Sequence, residues 1–169
     1  RIAIARALAA STTVLIADEP ISALDTSSQA QVANLLVDLV HEFKMGMVFI
    51  SHDLSIVRRI SDRVAVMYLG KIVEIGTTSQ IWENPSHPYT RALVSAIPHA
   101  DGASFMPSDL PGDVPNPMNP PSGCRFHPRC QLALPKCTTE EPQFVTLTDN
   151  REVSCFLQRE GESPASITL

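Results

Sequence analysis

The feature that most constrains this 169-residue chain is an apolar run ending in two carboxylates, residues 14–20 (VLIADEP). Successive large aliphatic residues with no polar side chain on either face predict a strand buried on both sides, as in parallel sheets. Asp18 and Glu19 would end that strand, where ligands bind in open α/β sheets. Adjacent carboxylates repel each other, so a bound cation would explain the pair. An isolated Asp-Glu pair is more often only a polar strand end.

A second apolar run, residues 47–50 (MVFI), leads into Ser51, His52 and Asp53. Between the two runs, residues 22–25 (SALD) precede a stretch in which apolar residues recur at helical spacing. This order predicts a strand-helix-strand unit whose strands are parallel neighbours and whose crossover is right-handed. His52 would then lie beside the carboxylates of the first strand, although a lone His at a strand end is usually structural.

In order and spacing, these residues resemble the ATP-binding subunits of ABC transporters. The strand ending at Asp18 and Glu19 resembles the Walker B strand, residues 22–25 resemble the D-loop, and His52 resembles the switch histidine. Residues 1–8 (RIAIARAL) resemble the helix that follows the signature sequence of the family. The resemblance implies a P-loop-type nucleotide-binding domain that hydrolyses ATP with Mg²⁺.

The same resemblance implies a role for each matching side chain. Asp18 would hold Mg²⁺ through its hydration shell, Glu19 would polarise the attacking water, and His52 would contact the γ-phosphate. Ser22 and Asp25 would contact the opposing nucleotide-binding domain, whose signature sequence completes the site in this family.

Composition limits the alternatives. Hydrophobic residues make up 44% of the chain, which is enough for a packed core. Thirteen Lys and Arg against eighteen Asp and Glu give a net charge of −5, which argues against a nucleic-acid partner. No run is long enough for a membrane span, and no signal peptide is recognisable. The start at Arg1, without Met, leads us to expect a fragment of a longer protein.

A phosphate-cradling loop of the form Gly-x-x-x-x-Gly-Lys-Ser/Thr is missing from the sequence. The pair Gly70-Lys71 is followed by Ile72 and has no Gly five residues before it. In the resembled family, the glutamine-containing loop and the signature sequence also lie upstream of the matching segment. We therefore expect the isolated chain to be inactive as an ATPase.

Local patterns predict the remaining elements. Residues 1–10 should be helical, and Thr26, Ser27 and Ser28 offer N-cap hydroxyls to a helix that ends by Gly46. A short helix, a strand, a hairpin turn at Gly70-Lys71 and a strand stopping at Gly76 should follow. These further segments are residues 54–60 (helix), 64–69 and 72–75 (strands), and 77–83 and 89–97 (helices).

Composition changes near residue 84: of fourteen prolines only Pro20 lies before it, and all four cysteines lie after it. We therefore predict a partial ABC ATPase domain over residues 1–84 and a small, irregular Cys/Pro-rich extension over residues 85–169. Residues 98–123 should be irregular, and residues after 160 should fray. Residues 87–93 (HPYTRAL) resemble the start of the C-terminal extension in the oligopeptide and dipeptide branch of ABC importers.

The extension carries four cysteines, Cys124, Cys130, Cys137 and Cys155. Disulfides are rare in the cytosol, where an ATPase would lie, and no Cys-x₂₋₄-Cys pair typical of zinc is present. The spacing fits iron-sulfur ligation weakly, so chemistry alone leaves a metal site and inert buried thiols equally open. The oligopeptide/dipeptide branch carries this pattern, and some members hold a [4Fe-4S] cluster there. The resemblance therefore implies a cluster at these cysteines, with zinc as the alternative.

Residues around the cysteines extend this interpretation. Gln131 stands where relatives often have Pro, which removes no ligand. His127 is a candidate substitute ligand, although an exposed loop histidine is the simpler interpretation. Arg125, Arg129 and Lys136 would offset the negative charge of a tetrathiolate cluster, or would simply form a solvated surface.

These observations lead to one functional prediction with two alternatives. The parent protein should hydrolyse ATP to energise import of di- and oligopeptides, at the cytoplasmic face of the membrane. Its partners should be a second ABC nucleotide-binding subunit, two transmembrane permease subunits and, indirectly, a solute-binding protein. The alternatives are a metal-binding or interaction module without ATPase activity, and a soluble ABC ATPase of translation or repair. The latter would not explain residues 87–93 or the cysteines.

Overall fold

The computed structural model describes residues 2–9, 12–97 and 110–164. The chain divides into two compact units, residues 1–61 (unit 1) and 62–169 (unit 2). Each unit contains both helices and strands, so the predicted mixed α/β class is confirmed. The predicted boundary at residue 84, between a nucleotide-binding part and an extension, stays a prediction.

Unit 1 alternates helices and strands along the chain. Its elements are α1 Ile2–Leu8, β1 Val14–Asp18, α2 Thr26–Glu42, β2 Gly46–Ile50 and α3 Leu54–Ile60. Strands β1 and β2 pair in parallel, with Val14 opposite Gly46 and Asp18 opposite Ile50. The predicted pair of neighbouring parallel strands joined by a helix is therefore confirmed.

Only one face of the β1–β2 sheet is buried within the described part of the chain. On that face, Leu15 packs with Ile21 and with Val32 and Leu36 of α2. The opposite face carries Val14, Ile16, Val48 and Ile50, whose exposed fractions are 47–70%. The prediction of a strand buried on both sides is thus wrong for these residues, because no described element covers this second face.

The ends of α2 differ from those predicted. Asp25 is the N-cap and accepts a hydrogen bond from the Ser28 backbone N–H at 3.0 Å, so a carboxylate replaces the predicted hydroxyl caps. The helix ends at Glu42, and Lys44 takes a left-handed conformation with φ 52°. Gly46 is the first residue of β2 rather than the end of the helix.

Unit 2 is built on an antiparallel sheet of order β3-β4-β6-β5. Its elements are β3 Arg63–Tyr68, β4 Lys71–Thr77, α4 Thr78–Glu83, α5 Pro88–Ser95, β5 Val145–Thr146, β6 Glu152–Val153, and 3₁₀ helices at His127–Arg129 and Pro135–Thr138. The extension is therefore not wholly irregular, because β5 and β6 complete a sheet begun by the β3–β4 hairpin. Residues 110–123 contain no helix or strand, as predicted; residues 98–109 and 165–169 lie outside the described residues.

The turn of the hairpin is Leu69-Gly70, one residue earlier than predicted. Both residues have positive φ, 45° and 77°, as the two central residues of a type I′ turn require. Lys71 belongs to β4, and β4 runs through Gly76 to Thr77 instead of stopping at Gly76. The prediction failed because Gly was assigned to the first turn position, as in type II′ turns.

An aromatic cluster joins the hairpin to α5 and to the cysteine-containing segment. Ring centroids of Tyr68 and Tyr89 lie 4.7 Å apart, and those of Tyr68 and Phe126 lie 5.2 Å apart in an edge-to-face arrangement. The His87 and Phe126 rings lie 5.7 Å apart. Phe126 is almost completely buried, so this cluster forms much of the unit 2 core.

Candidate functional site

The carboxyl ends of β1 and β2 bring the predicted catalytic side chains together. The Glu19 N–H donates to the Ile50 carbonyl at 2.9 Å, which extends the parallel pairing one residue beyond Asp18. His52 follows two residues after the end of β2. The register of the two strands therefore places Glu19 and His52 at the same edge of the sheet.

Glu19 and His52 form a direct pair. Glu19 Oε1 lies 2.9 Å from His52 Nδ1 and also accepts the His52 backbone N–H at 3.2 Å. The side chain of Glu19 is 37% exposed and that of His52 is 78% exposed. The hydrogen bond and the charge of Glu19 raise the pKa of His52 above its ordinary value of 6.5.

Two features of Glu19 set it apart from an ordinary strand-end residue. Its backbone is left-handed, with φ 45°, a conformation that is uncommon for a residue other than Gly. Its second carboxylate oxygen, Oε2, is buried without a hydrogen-bond partner among the described residues. Buried polar atoms are normally hydrogen-bonded, so Oε2 marks a position where a water or ligand would complete the site.

Asp18 lies on the exposed face of β1 and borders an open groove of about 580 Å³. The groove runs between α1, β1 and α2, and most of its lining is apolar, including Ile4, Leu15 and Ile16. The Asp18 carboxylate makes no hydrogen bond or ion pair to any described residue. The carboxylate is thus unpaired among the described residues where it borders the groove.

The side chains of Ser22 and Asp25 both form hydrogen bonds within unit 1. Ser22 Oγ donates to the Glu19 carbonyl at 3.1 Å and so closes the turn after β1. Asp25 accepts from Ser27 Oγ at 2.6 Å and Ser28 Oγ at 2.8 Å, besides its helix-capping bond. These bonds hold the pKa of Asp25 well below its usual range. The predicted contacts of Ser22 and Asp25 with a second subunit stay predictions.

The four cysteines line one small cavity of about 20 Å³ in unit 2. The other side chains around it are largely apolar or aromatic: His87, Pro88, Phe126, His127, Leu132, Pro142, Phe156 and Leu157. All four thiols are free of disulfides. Burial raises the pKa of Cys124 and Cys130, and that of Cys155 to about 12, with a further contribution from neighbouring cysteines.

Backbone contacts fix the loop that carries the cysteines. The Cys124 N–H donates to the Cys137 carbonyl at 2.9 Å, and the Leu134 N–H donates to Cys137 Sγ at 3.3 Å. Gly123 has φ 64°, and a Cβ there would lie 2.5 Å from the Cys137 carbonyl oxygen. Glycine is therefore required for this close approach, which brings the first and third cysteines into one loop.

The four thiols are of the type that binds soft metals, but the described side chains do not form a metal-binding group. Four thiols around one cavity are the ligands that iron-sulfur clusters use. Yet within the described ranges no three His, Cys, Asp or Glu side chains are placed to hold a metal ion. This placement supports neither predicted occupant, a [4Fe-4S] cluster or zinc, so both stay predictions that rest on the type and convergence of the thiols.

The residues predicted to act as a substitute ligand or to offset the cluster's charge make other contacts. His127 Nδ1 lies 2.9 Å from the Cys124 carbonyl oxygen. Arg125 donates to the Leu69 carbonyl, and Arg129 donates to the Pro111 carbonyl at 3.3 Å. The Lys136 ammonium lies 4.1 Å from the Phe156 ring centroid. Of the described side chains that line the cavity, none is Arg or Lys, so a charge-offsetting role could act only from outside it.

A buried polar network in unit 2 was not predicted. Glu74 is fully buried on β4 and accepts the backbone N–H groups of Ser86 at 2.8 Å and His87 at 2.9 Å. Arg151 Nη1 lies 3.5 Å from Glu74 Oε1 and donates to Ser86 Oγ at 2.8 Å. The signal was a charged residue inside the apolar run of residues 72–75, where a buried carboxylate requires partners.

The charge state of Glu74 reflects two opposing effects. Burial raises the pKa of Glu74, while the two N–H bonds and the Arg151 guanidinium act to lower it. A second carboxylate, Asp149, pairs with Arg151 at 2.7 Å. Arg151 therefore binds two carboxylates and ties the C-terminal segment to the break between α4 and α5.

Among the described residues, no helix has both the length and the apolar character needed to cross a membrane.

Comparison with known proteins identifies similar sequences over nearly the whole chain. Residues 73–137 match the family model described as "Oligopeptide/dipeptide transporter, C-terminal region". The dipeptide transport ATP-binding protein DppF of Haemophilus influenzae is 51% identical over 157 residues, which cover 92% of this chain and 48% of that protein.

Two further relatives are also ATP-binding proteins of peptide transport. The oligopeptide transport ATP-binding protein AppF of Bacillus subtilis is 49% identical over 160 residues, covering 93% of this chain and 49% of that protein. DppF of Escherichia coli is 49% identical over 170 residues, covering 97% of this chain and 49% of that protein. The chain thus spans about half the length of these relatives. The predicted resemblance to ATP-binding subunits of peptide ABC importers is confirmed over that span.

Proposed function

We propose that this chain is the part of a peptide ABC importer's ATP-binding subunit that activates water for ATP hydrolysis. Its similarity to peptide-transport ATP-binding proteins supports the assignment. The observation that carries it is the pair of Glu19 Oε1 and His52 Nδ1, 2.9 Å apart at the carboxyl ends of parallel strands. In this reading the chain supplies the C-terminal part of a P-loop-type nucleotide-binding domain.

Each side chain of the pair has a position suited to its proposed role. Glu19 is held by its bonds to His52 and Ile50, and its free Oε2 can accept a proton or hydrogen bond from an attacking water. His52 is exposed and can donate to the γ-phosphate of ATP. The Asp18 carboxylate has no hydrogen-bond or ion-pair partner among the described residues and can bind the hydration shell of Mg²⁺. Hydrolysis of this kind depends on positioned dipoles and a metal rather than covalent chemistry.

The resemblance to ABC importers supports a proposal for the partners of the chain. The partners would be two transmembrane permease subunits and a second nucleotide-binding subunit, toward which Ser22 and Asp25 would face. A solute-binding protein would act indirectly by delivering the peptide to the permease. The chain would then lie at the cytoplasmic face of the membrane as a peripheral subunit.

A cofactor proposal accompanies the ATPase proposal. Cys124, Cys130, Cys137 and Cys155 would hold a [4Fe-4S] cluster, because four free thiols line one cavity and Cys thiolates are the ligands that such clusters use. Anaerobic reconstitution with iron and sulfide tests this. About four irons and four sulfides per chain, lost in Cys124→Ser, are expected; metal-free protein or stoichiometric zinc would overturn the proposal.

A chimera tests the ATPase proposal directly. In it, this chain replaces the aligned half of the E. coli dipeptide transport ATP-binding protein, to which it is 49% identical. We expect the chimera to hydrolyse Mg-ATP and to support dipeptide uptake when assembled with the E. coli permease subunits. A folded, assembled chimera that binds ATP without hydrolysing it would contradict the proposal.

The second candidate function is a metal-binding or interaction module without ATPase activity. The convergence of the four cysteines in unit 2 favours it, since that feature does not involve the Glu19–His52 pair. Thermal unfolding of the chain with and without millimolar Mg-ATP tests whether the chain by itself binds nucleotide or acts only as a metal-binding or interaction module. Because the sequence holds no phosphate-cradling loop, we expect no shift in Tm for the chain by itself. A soluble ABC ATPase of translation or repair is disfavoured by the match of residues 73–137.

A further inference from the structure

The proposed ATP site gives no role to His87, which lies within the residues 73–137 that match the family model. His87 is 1% exposed and lies in the wall of the cavity formed by the four cysteines. The ring places two nitrogens in a largely apolar wall, and a buried polar atom needs a hydrogen-bond partner. Its hydrogen bonds show what it can do.

Hydrogen bonding fixes the position of the ring proton. His87 is the N-cap of α5, and its Nδ1 accepts the Tyr89 backbone N–H at 3.1 Å. A nitrogen that accepts a hydrogen bond carries no proton, so the proton of the ring lies on Nε2. The ring therefore offers one N–H donor of fixed identity, and no described residue accepts a bond from Nε2.

The position of the ring is fixed as firmly as its tautomer. The His87 backbone N–H donates to the buried Glu74 carboxylate at 2.9 Å, and the ring packs against Phe126 with centroids 5.7 Å apart. Arg151 holds the same carboxylate and the neighbouring Ser86. The unpredicted network of unit 2 thus fixes the backbone that places His87 in the cavity wall.

We propose that His87 is a positioning residue whose Nε2–H donates a hydrogen bond to the sulfur of an iron-sulfur cluster bound by the four cysteines. The proposal rests on the proposed cluster and is independent of the proposed ATPase. His87 is not itself a ligand in this arrangement, because Nε2 carries the proton and Nδ1 is occupied by the Tyr89 N–H. Hydrogen bonds to cluster sulfurs stabilise the more negative, reduced state and so raise the reduction potential.

Two substitutions separate the donor from the helix cap. In His87→Asn the amide oxygen can take the place of Nδ1 and keep the cap of α5, while the Nε2–H donor is lost. In His87→Gln the amide nitrogen can take the place of Nε2, while the cap is lost. The whole chain is reconstituted anaerobically with iron and sulfide in each form, and the midpoint potential is measured by redox titration.

We expect His87→Asn to lower the midpoint potential relative to the unsubstituted chain, and His87→Gln to leave it close to that of the unsubstituted chain. We also expect the Gln variant to have the lower Tm of the two, which shows that potential and stability respond to different atoms. An unchanged potential in His87→Asn, or equal losses in both variants, would overturn the proposal.

A measurement on the metal-free chain tests the tautomer separately. Nitrogen-15 NMR of histidine-labelled protein reports which ring nitrogen of His87 carries the proton, and His87→Asn identifies its signal. A neutral ring protonated at Nε2 is expected, and a ring protonated at Nδ1 would overturn the proposal. Failure of the unsubstituted chain to take up iron would overturn this proposal and the cluster, whereas ATP hydrolysis by the chimera would be unaffected.

Discussion

At the scale of single residues, the candidate site depends on one carboxylate held in an unusual backbone conformation. Glu19 keeps φ 45° because its N–H bonds to Ile50 and its Oε1 bonds twice to His52. A left-handed non-glycine residue costs energy that the surrounding contacts must offset, and such residues cluster at functional sites. The strain therefore supports a functional interpretation of Glu19.

The Glu19–His52 pair predicts a specific titration. NMR titration of His52 should give a pKa above 6.5, and Glu19→Gln should lower it toward 6.5. Because the folded-state pKa is raised, the pair's stabilisation is fully present below pH 6.5 and is lost as pH rises through the raised value. Glu42→Gln, an exposed acid at the end of α2, is the matched control and should leave His52 unchanged. A His52 pKa that is insensitive to Glu19 would contradict the paired geometry.

At the scale of elements, turns and caps set the geometry that the apolar pattern alone does not. The sequence pattern located β1, α2 and β2, the three elements next to the candidate ATP-site residues. It missed the Asp25 cap and the Leu69-Gly70 turn, because hydroxyls and carboxylates both cap helices and Gly suits more than one turn position. Such choices depend on side-chain contacts rather than on periodicity.

The Leu69-Gly70 turn predicts opposite effects for two neighbouring substitutions. Gly70→Ala places a Cβ on a residue with φ 77° and should lower the free energy of unfolding by about 1 kcal/mol. Leu69→Asn creates the Asn-Gly pair that type I′ turns favour and should raise the Tm. Denaturant unfolding of both variants measures the difference. Stabilisation by Gly70→Ala would show that the turn has another conformation.

At the scale of the whole molecule, each compact unit carries a different part of the proposed chemistry. Unit 1 holds the Glu19–His52 pair, and unit 2 holds the cysteine cavity. Unit 2 is assembled from residues far apart in sequence, because Glu74 on β4, the break at Ser86 and the C-terminal Arg151 share one buried network. This network makes the extension inseparable from the β3–β4 hairpin.

Breaking that network should unfold unit 2 far more readily than breaking a surface ion pair. Arg151→Met leaves Glu74 buried without its cation, and loss of one partner of a buried pair lowers the free energy of unfolding by about 3–5 kcal/mol. The exposed pair of Lys71 and Glu141, 2.8 Å apart, is the control, and Lys71→Met should cost less than about 1 kcal/mol. Equal losses in the two variants would show that the buried network does not stabilise unit 2.

Features set by local sequence patterns were predictable, and features set by contacts between distant residues were not. The parallel pairing of β1 with β2 and the adjacency of Glu19 to His52 were predictable, because hydrophobic runs and the strand-helix-strand connection determine them. The Glu74–Arg151 pair was not, because the two residues lie on opposite sides of a proline-rich segment without periodicity. The exposed face of Val14 and Ile16 also departs from prediction, since burial depends on what covers a strand and not on the strand itself.

The most direct test of the central claim is ATP turnover by the chimera carrying Glu19→Gln. Gln keeps the size of Glu19 but cannot accept the proton of the attacking water. We therefore expect Mg-ATP binding to persist while hydrolysis falls by about 10²-fold or more. Glu42→Gln in the same chimera should retain full activity. Full-rate hydrolysis by the Glu19→Gln chimera would contradict the assignment of Glu19 and, with it, the proposed function of the chain.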